Sequence, residues 1–220
     1  MAVRLDSWRT CYLTAYNLAQ AALWTNLLVL TLSSLAHGPA HVFARCEPLA
    51  RWTQTIALLD VVHAAARLIP SGTATTFTQV MTRVIQVWAI WWTFPEAILG
   101  DDSARMHALE GWRTASSGGV AFTALLLAWS IADAVRYTYL TCKMHHLESR
   151  LFTWIRYSMF YVLYPIGISA EWWLMYRSIG PSRKVNALLP PLFYFLLALY
   201  IPGAWFMFSH MTKQRRKVIS

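Results

Sequence analysis

Apolar stretches long enough to cross a bilayer recur six times along the chain, near residues 11–36, 49–69, 74–98, 117–140, 151–176 and 186–210. A hydrocarbon core roughly 30 Å thick needs about 20 apolar residues in helical form. It offers no water to a bare backbone, so such stretches adopt a conformation that satisfies its own amides. The pattern predicts an all-α integral membrane bundle of six transmembrane helices, forming one domain over residues 1–220. Composition agrees, with 57% of residues hydrophobic and 13% charged, too apolar for a water-soluble domain of this length. The second stretch is the most interrupted, by Asp60, His63 and Arg67, and Ser71-Gly72-Thr73 is short enough to close a tight hairpin with the third. The connection 99–116 carries mixed charge and no phosphate-binding pattern. The absence of an internal repeat argues against the paired-halves design of many transporters.

Orientation follows from Lys and Arg. With six spans, the termini and the second and fourth connections share one side and hold nine basic residues, against seven on the other. The run Lys213-Gln-Arg-Arg-Lys217 directly after the last span adds a strong local bias, so both termini are predicted to be cytosolic. The polar first ten residues and the lack of a small-residue cleavage site mark the first stretch as a span and not a removable signal peptide. The net charge of +9 is then a property of flanks near anionic headgroups, and no nucleic-acid partner is implied. Cys11, Cys46 and Cys142 have neither disulfide nor metal spacing. His145-His146, and His37 with His41, lack a third ligand, so no metal site is predicted.

Ionisable residues at membrane depth are costly and therefore functional candidates. Glu171 is one, and Tyr164 precedes it by seven residues, two turns and about 10 Å along the same helix face. A phenol and a carboxylate facing one cavity form a possible acid/base pair. Pro165 removes the amide that would bond the carbonyl of Tyr161, and Gly167 leaves room, so a kink beside Tyr164 is expected. Asp60 and His63, and Asp133 and Arg136, are spaced i, i+3, whereas Gln79 and Arg83 are i, i+4; each pair shares a helix face. Two readings stand for these pairs: lining of the Glu171 cavity, or polar contacts that hold the bundle together. Asn17 and Gln20 fit the second. The run Trp88-Ala-Ile-Trp91-Trp92 reads as an interfacial anchor.

The element Tyr157-x-x-Phe160-x-x-Leu163-Tyr164-Pro165-x-Gly167-x-x-x-Glu171 resembles the signature of the 3-hydroxyacyl-CoA dehydratases of very-long-chain fatty acid elongation, once called protein-tyrosine-phosphatase-like proteins. Weaker similarities follow in order: Tyr12 and Tyr16-Asn17 through Trp24, Leu59-Asp60-x-x-His63, Thr76-x-x-Gln79-Val-x-x-Arg83, Trp129-x-Ile-x-Asp133-x-x-Arg136-Tyr137-x-Tyr139, Pro202-Gly203 and His210-Met211-x-x-Gln214-Arg215. The resemblance implies removal of water from a long-chain (3R)-3-hydroxyacyl-CoA to give the trans-2-enoyl-CoA, the third step of the elongation cycle. It implies Tyr164 and Glu171 as the catalytic pair, one taking the C2 proton and the other protonating the C3 hydroxyl; either assignment fits the residues. Arg136 and Tyr137 would tune that pair or polarise the thioester carbonyl, with Asp133, Tyr157, Asp60, His63, Gln79 and Arg83 supporting the pocket. The phosphorylated nucleotide would stay among cytosolic basic residues such as Arg9, Lys143, Arg150 or Lys213. No cofactor is needed. The endoplasmic reticulum membrane, contact with membrane lipid and association with other fatty acid elongation enzymes are implied in the same way.

The chain departs from the family where glutamate is usual in the second and fourth spans, having Asp60 and Asp133, and where glycine and serine follow His63, having Ala65, Ala66 and Arg67. A catalytically weak member acting as a membrane scaffold for elongation enzymes is therefore the alternative, and a proton-coupled transporter a more distant one. Phosphatase chemistry is excluded: it needs a cysteine and an arginine separated by five residues in a glycine-rich loop, whereas Cys142 and Arg150 are separated by seven.

Overall fold

The structure, a computed structural model, describes residues 7–100 and 115–219. Helices dominate, as the apolar stretches require. The first, α1 (Ser7–Ser34), ends in a 3-10 turn over Leu35–His37. Gly38 then reverses the chain at φ 89°, a backbone that residues with a Cβ rarely adopt, and Pro39 opens α2 (Pro39–Ile56) with its preset φ. This helix begins ten residues before the predicted second span. It breaks at Ala57 and resumes as α3 (Leu58–Ala65).

The predicted third span is also not one regular helix. It comprises α4 (Thr73–Ile85), a π-helical segment over Gln86–Trp92 and, after Pro95, the short α5 (Glu96–Leu99). The predicted connection 99–116 falls mostly outside the described residues. Beyond it run α6 (Ser117–Met144), α7 (Arg150–Ser158), α8 (Phe160–Ser182) and α9 (Leu189–Ile219). Ser116 and Ser149 cap α6 and α7, each accepting a backbone N–H three residues on at 2.9 and 3.1 Å. The interruption in the predicted fifth span lies at Met159, six residues before Pro165; α8 itself runs through the proline. The helix at the predicted sixth span extends through the basic tail, well past residue 210.

Residues 8–37, Ser117–Met144 and Leu189–Ile219 form three helices long and apolar enough to cross a membrane. The 28 residues of α6 span about 42 Å at 1.5 Å each. This helix packs against α1 on one side and α8 on the other, with α9 beyond α8 and α2 against both α1 and α6. Trp24, Trp91, Phe122, Leu125, Trp129 and Leu174 fill the space between them. The tryptophan run at 88–92 divides: Trp91 is fully buried against Phe122 and Trp129, with ring centroids at 4.9 and 5.3 Å, and Trp92 is exposed. Trp91 therefore serves the core and not the predicted interfacial anchor. Trp88 donates to Thr55 Oγ1 at 2.9 Å. Arg51 is buried within α2, 2.7 Å from Glu47 and 3.9 Å above the Trp92 ring.

Contacts at the helix ends arrange the bundle. Thr14 meets His145 at 2.9 Å and Arg215 donates to Ser158 at 3.0 Å, which gathers the start of α1, the end of α6, α7 and the end of α9. Arg177 donates to the Ala97 carbonyl at 2.6 Å and to Ser117 at 2.9 Å, which joins the end of α8 to α5 and the start of α6. His146 takes φ 56° in a Schellman turn, with Leu147 N–H bonding the Cys142 carbonyl and His146 N–H that of Lys143; its role there is to end α6.

Candidate active site

The unbroken course of α8 preserves the spacing read from the sequence, so Tyr164 and Glu171 stand two turns apart on one helix. Glu171 is buried and Tyr164 half-buried. They do not bond to each other. Glu171 Oε1 accepts from the indole of Trp129 on α6 at 3.0 Å, and Oε2 accepts from the Tyr200 phenol on α9 at 3.3 Å. Tyr164 donates to the Ala204 carbonyl of α9, also at 3.3 Å, with its ring tilted against Phe208.

Behind Trp129 lies a connected set of charges. The Arg83 guanidinium sits 4.7 Å above the Trp129 ring and donates to Asp133 Oδ2. Asp133 also pairs with Arg136 at 3.5 Å, and Arg136 reaches Asp60 at 2.5 Å. Asp60 accepts from Tyr16 and Tyr137 as well, both at 2.8 Å. His63 closes the row, 2.8 Å from the Tyr12 phenol, with its ring edge-on to Tyr16. Five of the predicted supporting residues, Asp60, Arg83, Asp133, Arg136 and Tyr137, thus belong to one network that runs through Trp129 to Glu171. Asp133 and Arg136 pair as their spacing suggested, whereas the other two predicted pairs do not form. Asp60 and His63 share a helix face but find separate partners on α1, and Arg83 pairs with Asp133 in place of Gln79. Gln79 is exposed and its contact is a long one, 4.0 Å to Met207 Sδ. Tyr157 packs edge-on against Tyr139 at 6.0 Å, under Arg156.

Both aspartates that stand where the resembled family has glutamate are satisfied by partners, Asp60 by Tyr16, Arg136 and Tyr137 and Asp133 by Arg83 and Arg136. Sequence reasoning missed Tyr16, Trp129 and Tyr200 as site residues. Trp129 carried a signal, lying one helical turn before Asp133; Tyr200 sits in an apolar run with nothing in its spacing to mark it.

The family described as "Protein tyrosine phosphatase-like protein, PTPLA" matches this chain over residues 54–220. The chain belongs to that family. Its relatives in the family include the probable very-long-chain (3R)-3-hydroxyacyl-CoA dehydratase of Schizosaccharomyces pombe, 31% identical over 94% of this chain and 92% of the relative. The dehydratase PASTICCINO 2A of Oryza sativa subsp. japonica is 30% identical over 96% of this chain and 94% of its own length. Very-long-chain (3R)-3-hydroxyacyl-CoA dehydratase 2 of Homo sapiens is 30% identical over 96% and 82%. No solved structure matches the chain. The phosphatase-like family name does not describe its cysteines: Cys142 lies in the last turns of α6 and Arg150 opens α7, with no phosphate cradle between them.

Proposed function

We propose that this chain is a very-long-chain (3R)-3-hydroxyacyl-CoA dehydratase that removes water across C2 and C3 of its substrate. The observation that carries the reading is near-full-length similarity to relatives that bear that name, in a chain that keeps Tyr164 and Glu171 on one helix. Glu171 takes the C2 proton, which the thioester makes weakly acidic. Tyr164 gives its phenolic proton to the C3 hydroxyl, the C3–O bond breaks, and water leaves as the C2–C3 double bond forms. Proton transfer from Glu171 back to the phenolate then resets the pair. The hydrogen bonds support this assignment. Trp129 and Tyr200 each direct a donor at one Glu171 oxygen and leave lone pairs on both for the C2 proton, whereas Tyr164 donates to the Ala204 carbonyl and would exchange that acceptor for the substrate hydroxyl.

The chain works as one membrane domain crossing six times, α2–α3, α4 with its π segment, and α7–α8 supplying the crossings beyond the three apolar helices. The end contacts of α1 with α6 and of α9 with α7 support both termini on one face, which the basic tail assigns to the cytosol. The endoplasmic reticulum membrane and the company of other elongation enzymes complete the reading. Turnover of a long-chain (3R)-3-hydroxyacyl-CoA by purified protein in detergent tests it. Activity that falls on the order of 100-fold or more in Tyr164→Phe and Glu171→Gln, with folding intact, is the expected result. A folded parent inert toward every chain length would reject it.

A further inference from the structure

On the dehydratase reading, with Glu171 as its base, we propose that Tyr200 is a positioning residue for that reaction, one that no spacing in the sequence marks. Two atoms on one face of α9 meet the α8 pair. The Tyr200 phenol donates to Glu171 Oε2 and, one turn on, the Ala204 carbonyl accepts from Tyr164, both at 3.3 Å. A carboxylate has about four lone-pair directions on its two oxygens. Trp129 takes one on Oε1 from α6, and Tyr200 takes one on Oε2 from the opposite helix, α9. Tied from two helices, the carboxylate loses its freedom to rotate about Cγ–Cδ, and the lone pairs that remain keep a fixed direction. That direction decides whether the base faces the C2 proton. Tyr164 and Glu171 also hold their relative placement through this one turn of α9, because each is anchored to it.

Tyr200→Phe keeps the ring and removes the bond. The expected result is a fall in kcat on the order of 10- to 100-fold, the cost of a small misplacement of a reacting group, with KM nearly unchanged. The isotope effect on kcat with substrate deuterated at C2 should rise above the parent's, because proton removal becomes the slow step. A purely structural role would lower the active fraction and leave that isotope effect where it was. Tyr200→Leu is the second variant; it removes the phenol and keeps an apolar side chain at a half-buried position packed against the core. An unchanged kcat in either folded variant, or a loss with an unchanged isotope effect, overturns the proposal while Glu171→Gln still abolishes turnover. A folded parent with no turnover overturns the dehydratase reading and this proposal together.

Discussion

At the scale of the residue, the most telling position outside the site is Arg67. Leu68 N–H bonds the His63 carbonyl at 2.8 Å and Arg67 N–H that of Ala64 at 3.1 Å, the Schellman pattern that ends a helix. Its terminating residue lies in the left-handed region, here at φ 55°, where glycine is at ease and a side chain costs about 1–2 kcal/mol. The glycine that the family resemblance leads one to expect after His63 is thus missing beside a turn that would favour it. Arg67→Gly should therefore stabilise the protein by about 1 kcal/mol, seen as a higher unfolding temperature in detergent, with turnover unaffected. No change, or a lower unfolding temperature, would mean that the arginine makes up for its backbone elsewhere.

Among the elements, α6 is the one on which the others are built. Its first turn is placed by two adjacent glycines. A Cβ on Gly118 would overlap the carbonyl oxygen of Ala97 and come within 2.9 Å of both Ile98 Cα and Arg177 Nε. Those atoms belong to α5 and to the Arg177 side chain that fastens α8 to it, so neither side has slack. Gly118→Ala should cost about 1–3 kcal/mol by overpacking, and thermal unfolding of the detergent-solubilised variant measures it. Gly180→Ala is the control, since nothing lies within 4 Å of a Cβ there. Helix interruptions were harder to read. The break at Met159 and the π segment at Gln86–Trp92 carry no glycine or proline of their own, and Pro165 marks the fifth span without being the place where it breaks.

For the molecule as a whole, the polar network is the feature that makes the bundle specific. Asp60 on α3 joins α1 through Tyr16 and α6 through Arg136 and Tyr137. Asp60→Ala strands a cation and two phenols. Unpairing buried ions costs about 3–5 kcal/mol, and the loss here should fall toward the lower end because the Arg136 side chain is 32% exposed and keeps Asp133. A clear drop in unfolding temperature for Asp60→Ala, smaller for Asp60→Asn, is expected; equal and negligible shifts would show that the network contributes little. Topology is testable at the same scale. In sealed microsomes, protease sites at either terminus and at Gly72 should be cut from outside, whereas one inserted between Lys184 and Val185 should be protected. Protection at either terminus would reverse the orientation.

Apolar length and the scarcity of charge were enough to set an all-helical chain suited to a membrane, because hydrocarbon leaves the backbone few alternatives. The sequence alone also determined that Tyr164 and Glu171 share a face, since seven residues are two turns of any helix. Partners across helices were decided only by tertiary packing. Spacing rules speak of neighbours on one helix, and they led to Asp60 with His63 and Arg83 with Gln79. The bonds made between helices at the site join residues 29 to 77 positions apart, such as Tyr200 to Glu171 and Tyr137 to Asp60. Helices that are apolar on every side give no amphipathic stripe to say which face meets which neighbour. The two donors that orient Glu171 therefore became visible only once α6 and α9 were packed on either side of it.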